Sequence, residues 1–422
     1  MKHIYIIITI IFLSYNINAQ SKLTLEEALT MGLENNYSLK ISKLSTKQAE
    51  LKNTYGMAGG LPTVKLNAMG NINEEIKKST TTMMGQVGAD VAWTLFDGFS
   101  IKTTKAQLEN SLFLSKGKEM VQIETTIESI INSYYYVLLQ QKMLEISKTI
   151  LDISADRFSQ QKTSREIGAS GNYEYILAET DYLNDKSSFM NQEIVYRNAV
   201  RSLNILLVAP LDTTWMLVNN FESPKENYQL STMIDKMLEN NTNIKNQYLN
   251  TITKELEIKK MRSELYPSIG INASFDVGIN KVEKVKSEFY RPEVGFNMSY
   301  TLFNGTKARR NVEIAELGKE IADVEFEDMK VKIQQQLLSE YERYLMYRDL
   351  EKLEAQKLKA TELLMSVSKE KYKIGAINSF NFREVQLSYL RSATSQLNAS
   401  LELIFANTSL LRLTGGILGT EK

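Results

Sequence analysis

The chain has 422 residues, 50 Lys and Arg balanced by 50 Asp and Glu, one histidine (His3) and no cysteine. Zero net charge gives no reason to expect nucleic acid or an anionic membrane surface as the main partner. With His3 in a removable leader, the mature chain lacks the side chains for Ser-His-Asp or Cys-His nucleophiles, thiolate chemistry, imidazole or sulfur zinc sites, and disulfides.

The leader is the first element. Met1, Lys2 and His3 precede an apolar run from Ile4 to Leu13, and a more polar stretch ends at Asn18-Ala19. A basic start, a short apolar run and a small residue at the exit predict a signal peptide over residues 1–19. The run is well short of the ~20 apolar residues a spanning helix needs, and no later stretch reaches that length. Without cysteine, no lipoprotein-type acylation can tether the exported product.

An internal repeat organises the remainder. Leu33-Glu34-Asn35-Asn36 recurs 205 residues on at Leu238-Glu239-Asn240-Asn241, and Leu61-Pro62-Thr63 at Tyr266-Pro267-Ser268. Leu95-Phe96-Asp97-Gly98 recurs 207 residues on at Leu302-Phe303-Asn304-Gly305, and Ile167-Gly168-Ala169 at Ile374-Gly375-Ala376. Matches in one order with one small shift predict two tandem structural repeats. These are residues 20–208 and 226–422, joined by a linker at 209–225 that holds Pro210 and Pro224.

After each opening helix the pattern has period two. Val64, Leu66, Ala68 and Ile72 oppose Lys65, Asn67 and Asn71; Ile269, Ile271, Ala273, Phe275, Val277 and Ile279 oppose small and polar residues. With 87–95 and 294–302 these make four amphipathic strands in two hairpins, over 61–98 and 267–305, with long polar loops at 73–86 and 280–291. Four strands cannot close a membrane barrel, since the smallest have about eight. If they lie in lipid, several chains must share one barrel, because open edges would leave backbone groups unpaired.

The helical stretches scarcely stop. No proline occurs between Pro62 and Pro210 or after Pro292, and apolar residues recur at three- and four-residue steps. Each long helix, coiled-coil-like, meets a glycine turn near 168 or 375 and returns antiparallel, with Asn172 and Ser379 expected as N-caps. Tyr134, Tyr135, Tyr136, Tyr341 and Tyr344 read as core and interhelix packing. Trp93, Phe96, Tyr300 and Phe303 read equally as an interfacial girdle or as strand packing. Lys102, Lys105, Arg309 and Arg310 fall just beyond the strands, on a solvated face or facing lipid headgroups.

Leu23-Thr24-Leu25-Glu26-Glu27-Ala28-Leu29 with Glu34-Asn35-Asn36 resembles the opening of the TolC-like outer membrane efflux proteins. Leu61-Pro62-Thr63, Leu95-Phe96-Asp97-Gly98 and the Tyr372, Gly375, Ser379 stretch extend the resemblance over nearly the whole mature chain. It implies an α+β membrane protein: a trimer with a 12-stranded β-barrel, four strands per chain, and a periplasmic α-barrel of helical hairpins. It also implies an outer membrane location in a Gram-negative bacterium and the role of a passive exit duct in a tripartite efflux pump or type I secretion system. The partners would be a periplasmic adaptor (membrane fusion protein) and an inner-membrane transporter, with no nucleic acid, enzyme activity, cofactor or metal.

By the same resemblance Gly168, Ala169, Gly375 and Ala376 are adaptor-docking tips, and Glu174, Tyr372, Asn381 and Glu384 mark a periplasmic entrance constriction. Ile377 stands where some members carry an arginine that bonds the closed form. For any single Glu a solvated helix face is the simpler reading. The competing function is a soluble periplasmic or surface coiled-coil scaffold or adhesin with a β-domain.

Overall fold

A computed structural model describes residues 21–75, 80–168, 171–218, 221, 224–282 and 285–418; the expected leader and Ala169 lie outside them. In chain order the elements are β1 (Ser21–Leu23), α1 (Leu25–Asn35), α2 (Tyr37–Lys52), β2 (Thr63–Glu75), β3 (Thr80–Asp97), α3 (Ser100–Glu166) and α4 (Asn172–Leu207). There follow β4 (Trp215–Leu217), α5 (Leu230–Asn240), α6 (Thr242–Ser263), β5 (Ser268–Val282), β6 (Val285–Ser299), α7 (Lys307–Lys373) and α8 (Ser379–Leu413). By their contacts these residues form two compact units.

One unit comprises residues up to Leu39, Ile123–Met237 and those from Gln335 onward. Its core gathers Ile130, Tyr134, Val137, Leu138, Leu203, Leu207, Leu401 and Ile404. The short strands β1 and β4 pair in parallel beside it, Leu23 opposite Leu217. They stand outside the four-strand expectation, and β4 lies within the segment read as linker: Trp215 and Leu217 point inward while Met216 points out. The tyrosines do what packing requires of a buried phenol. Tyr134 donates to the Leu23 carbonyl at 2.9 Å and Tyr344 to the Glu226 carbonyl at 2.9 Å, so each long helix anchors an incoming segment. Tyr136 departs from the expected core role and is exposed.

The other unit, Lys40–Gln122 and Leu238–Gln334, holds the four-stranded sheet, in the order β2-β3-β5-β6 with every neighbour antiparallel. The described residues of the segments read as long loops are strand: β2 runs to Glu75 and β3 starts at Thr80, and β5 and β6 extend to Val282 and from Val285. Polar residues such as Asn73 and Thr82 disguise this, because the ladder continues beyond the end of the apolar face. Register places Leu66 opposite Ala89, Ala89 opposite Phe275, and Phe275 opposite Pro292 on one face. The other face carries Asn67, Gln86, Asp90, Asn272 and Asp276, with Asn67 bonded to Asp90 and Gln86 donating to Asp276 at 2.7 Å. Pro292 sits on edge strand β6, where a missing N–H costs least.

The motif Leu-Glu-Asn-Asn is a helix break in both places. Asn36 accepts from Ser38 N at 2.9 Å, and Asn241 from Asn243 N at 3.0 Å and Ile244 N at 3.2 Å, capping α2 and α6. Thr24 and Glu27 form a reciprocal capping box on α1. The two glycine motifs after β3 and β6 place paired residues at positive φ: Gly98 (66°) with Phe99 (71°), and Gly305 (68°) with Thr306 (67°). At Gly98 a side chain would also collide with the Ser263 carbonyl, so the strand-to-helix corner tolerates only hydrogen.

Candidate functional site

The ends of α3 and α7 are the places the sequence singled out. Each long helix has 67 residues, about 100 Å at 1.5 Å per residue. Gly168 ends the first at φ 75° and Gly375 the second at φ 74°, with open space around both. Backbone conformation alone therefore favours glycine there. Gly375 N donates to the Tyr372 carbonyl at 3.0 Å and Ala376 N to the Lys371 carbonyl at 2.8 Å, a Schellman termination. The returning helices are capped one residue earlier than expected. Gly171 caps α4 without a side-chain bond, and Asn378 caps α8 by accepting from Asn381 N at 2.8 Å. Asn172 and Ser379 are the first helical residues instead, since Asn378 already supplies the oxygen that α8 needs.

Glu174 and Asn381 are exposed on the first turns of α4 and α8, and Glu384 is exposed on the second turn of α8. Tyr372 is not free in the same way. It stacks on Phe382 at 4.8 Å with the rings 7° apart, and Gln161 donates to its hydroxyl at 3.4 Å. At the matching place in the first half, Arg165 lies over the Tyr175 ring at 4.5 Å. Both tip-proximal crossings are thus closed by a flat side chain on a ring.

A charged cluster beside these rings went unread in the sequence. Arg383 of α8 holds Asp185 of α4 through two hydrogen bonds of 2.7 and 2.8 Å. Arg157 of α3, almost wholly buried, pairs with Asp181 of α4 and donates to the Gln386 side chain of α8 at 3.3 Å. Burial by itself would lower the Arg383 guanidinium's pKa; its bond to Asp185 and the nearby Asp181 and Glu384 charges outweigh this and raise it. The visible signals were the i, i+4 pair Asp181 and Asp185 and the i, i+3 pair Arg383 and Gln386.

These groups join helices and present no nucleophile beside a base. Among the described residues no cluster of three or more His, Cys, Asp or Glu could hold a metal, and no helix is long and apolar enough to cross a membrane. Residues 233–416 match the family model described as outer membrane efflux protein. That match takes in less than half of the chain. The resemblance carried by the sequence motifs is met over these residues, and the family they match is named for the outer membrane.

Nodulation protein T of Rhizobium leguminosarum bv. viciae is 21% identical over 297 residues, 69% of this chain but only 61% of that protein. The Campylobacter jejuni CmeC outer membrane channel shares the fold with TM-score 0.77 at 15% identity, covering 93% of this chain and 85% of that one. For Vibrio cholerae VceC, an outer membrane protein, the values are 0.74, 12%, 93% and 96%. For the open state of the Neisseria gonorrhoeae MtrE outer membrane channel they are 0.71, 15%, 93% and 89%. Relatives named by activity are efflux proteins and channels, not enzymes. The long-helix and strand architecture of this chain is therefore that of solved outer membrane channels.

Proposed function

We propose that the chain forms a homotrimer in the outer membrane of a Gram-negative bacterium and serves as the passive exit duct of a tripartite efflux pump or type I secretion system. One observation carries the reading. The apolar face of the sheet is uncovered, Leu66 being 82% and Val294 81% exposed, and the opposite face is polar. A soluble sandwich would bury one face; a lipid-embedded barrel leaves it outward around a watery bore. The edge strands β2 and β6 also run in opposite directions, because four strands alternate. The β6 strand of one copy can therefore pair antiparallel with β2 of the next, and three copies give 12 strands without an open edge.

The helices then continue the bore into the periplasm. Gly168, Ala169, Gly375 and Ala376 are the tips on which a membrane fusion protein docks to couple an inner-membrane transporter. Glu174, Tyr372, Asn381 and Glu384 surround the entrance. Two tandem halves, 20–208 and 226–422, are supported by helices of equal length and by matched positive-φ corners.

Fractionation with heat modification tests the proposal. The chain is expected in the outer membrane, migrating as an oligomer until boiled. Recovery as a monomer in the periplasmic wash would favour the scaffold or adhesin instead.

A further inference from the structure

The apolar surface of the sheet does not stop where the strands end. Phe96 pairs with Ile269 across β3 and β5, on the face that carries Ile271 and Phe275. Its ring meets Phe99 edge-on at 5.2 Å, and Phe99 meets Tyr266 at 6.2 Å. Phe99 and Tyr266 then line a groove of about 430 Å³ between the start of α3 and the end of α6. Leu256 adds to its apolar wall, and Lys102, Lys259 and Arg262 bring three cations to it. Lys259 is bonded to Glu255 at 2.7 Å and Arg262 to Glu316 at 2.7 Å, which leaves positive charge in excess. Both pairs are solvent-exposed, and exposed pairs are weak enough to exchange for another anion.

We infer that this groove holds the phosphate headgroup of an anionic phospholipid from the periplasm-facing leaflet, its acyl chains lying on the apolar face above. The inference rests on the sheet being lipid-embedded. Charge complementarity selects an anion, and the unbroken path Ile269, Phe96, Phe99, Tyr266 selects one that carries a tail. A free phosphate would gain nothing from the aromatic wall. Interfacial aromatics beside basic side chains are the usual arrangement at headgroup depth.

The test uses the full-length protein in detergent, with lipid retention read by native mass spectrometry. Phosphatidylglycerol should be retained by the wild type and displaced neither by diacylglycerol nor by millimolar inorganic phosphate. Lys102→Gln and Lys259→Gln should each weaken retention roughly fivefold, the worth of one basic side chain at an anionic lipid surface. Lys259→Arg should retain the lipid. Glu255→Gln, which frees Lys259, should strengthen retention. Retention indifferent to these substitutions, or displacement by inorganic phosphate alone, overturns the inference while an assembled channel leaves the barrel reading intact. Failure of the wild type to assemble overturns both.

Discussion

Arg383 and Asp185 lie 198 residues apart and form a two-pronged ion pair, 2.7 and 2.8 Å, between the two returning helices. Both side chains are largely buried, at 14% and 9% exposure, and Asp181 lies 3.7 Å from the same guanidinium. Removing one partner strands a buried charge, which costs about 3–5 kcal/mol, far above an exposed pair. Arg383→Ala should therefore loosen amide protection along residues 172–190 while leaving the sheet's protection unchanged. Asp185→Ala with Arg383→Ala should cost less than the two single changes added together. Arg383→Lys should recover little, because an ammonium cannot make the fork. Hydrogen exchange resolved by segment checks all three.

Val208 ends α4 at φ 57°, a left-handed conformation that a β-branched side chain resists. The helix closes as a Schellman turn, Ala209 N reaching the Asn204 carbonyl at 2.9 Å. At the end of α8 the same turn is made around Gly415, at φ 74°. The left-handed state costs a substituted residue about 1–2 kcal/mol, offset by the roughly 0.5–1 kcal/mol of extra freedom that glycine loses on folding. Val208→Gly should thus stabilise the chain by about 0.5–1 kcal/mol and Gly415→Val should destabilise it. Paired denaturant titrations measure both.

What the sequence disclosed follows from period. Alternation over Ile269 to Ile279 and the proline-free stretches of α3 and α7 are long patterns, and they led to the right elements. The strands β1 and β4 are three residues each, too short to have a period. The outer ends of β2 and β3 are polar on both faces, so nothing but backbone pairing marks them as strand. The cluster of Arg157, Asp181, Asp185, Arg383 and Gln386 joins residues up to 229 apart, and only antiparallel helix packing brings them together. The tip glycines were legible because a left-handed turn between long helices has a residue signature.

Gly168 and Gly375 have no neighbour that a side chain would strike, so substitution there tests backbone alone. Valine at either position should cost about 1–2 kcal/mol of local turn stability. Export should fall while membrane insertion and oligomer formation persist. Gly375→Asn should keep most activity, since Asn tolerates the left-handed region. Unchanged export in both valine variants would remove the docking role from the tips.

Glu174 and Glu384 are exposed near the starts of α4 and α8, and three copies would carry six such carboxylates around the entrance. Glu174→Ala with Glu384→Ala should lower cation preference in planar bilayers under a salt gradient. Identical reversal potentials would show that neither carboxylate lines the bore.

Leu66 stands in edge strand β2, 82% exposed within its own chain and in register with Ala89. On a soluble sheet a lysine there would change stability by no more than about 0.5 kcal/mol. On the lipid face of a barrel it costs about 2–4 kcal/mol near the midplane, falling toward the interfaces. Val64 and Ile72 bracket Leu66 along the strand, so it lies inside the apolar band. Leu66→Lys should therefore cut the yield of heat-modifiable oligomer sharply. Asn71→Lys, on the polar face of the same strand, should leave that yield unchanged and alter only conductance. Equal oligomer yields from the two lysine variants would mean that the apolar face does not meet lipid.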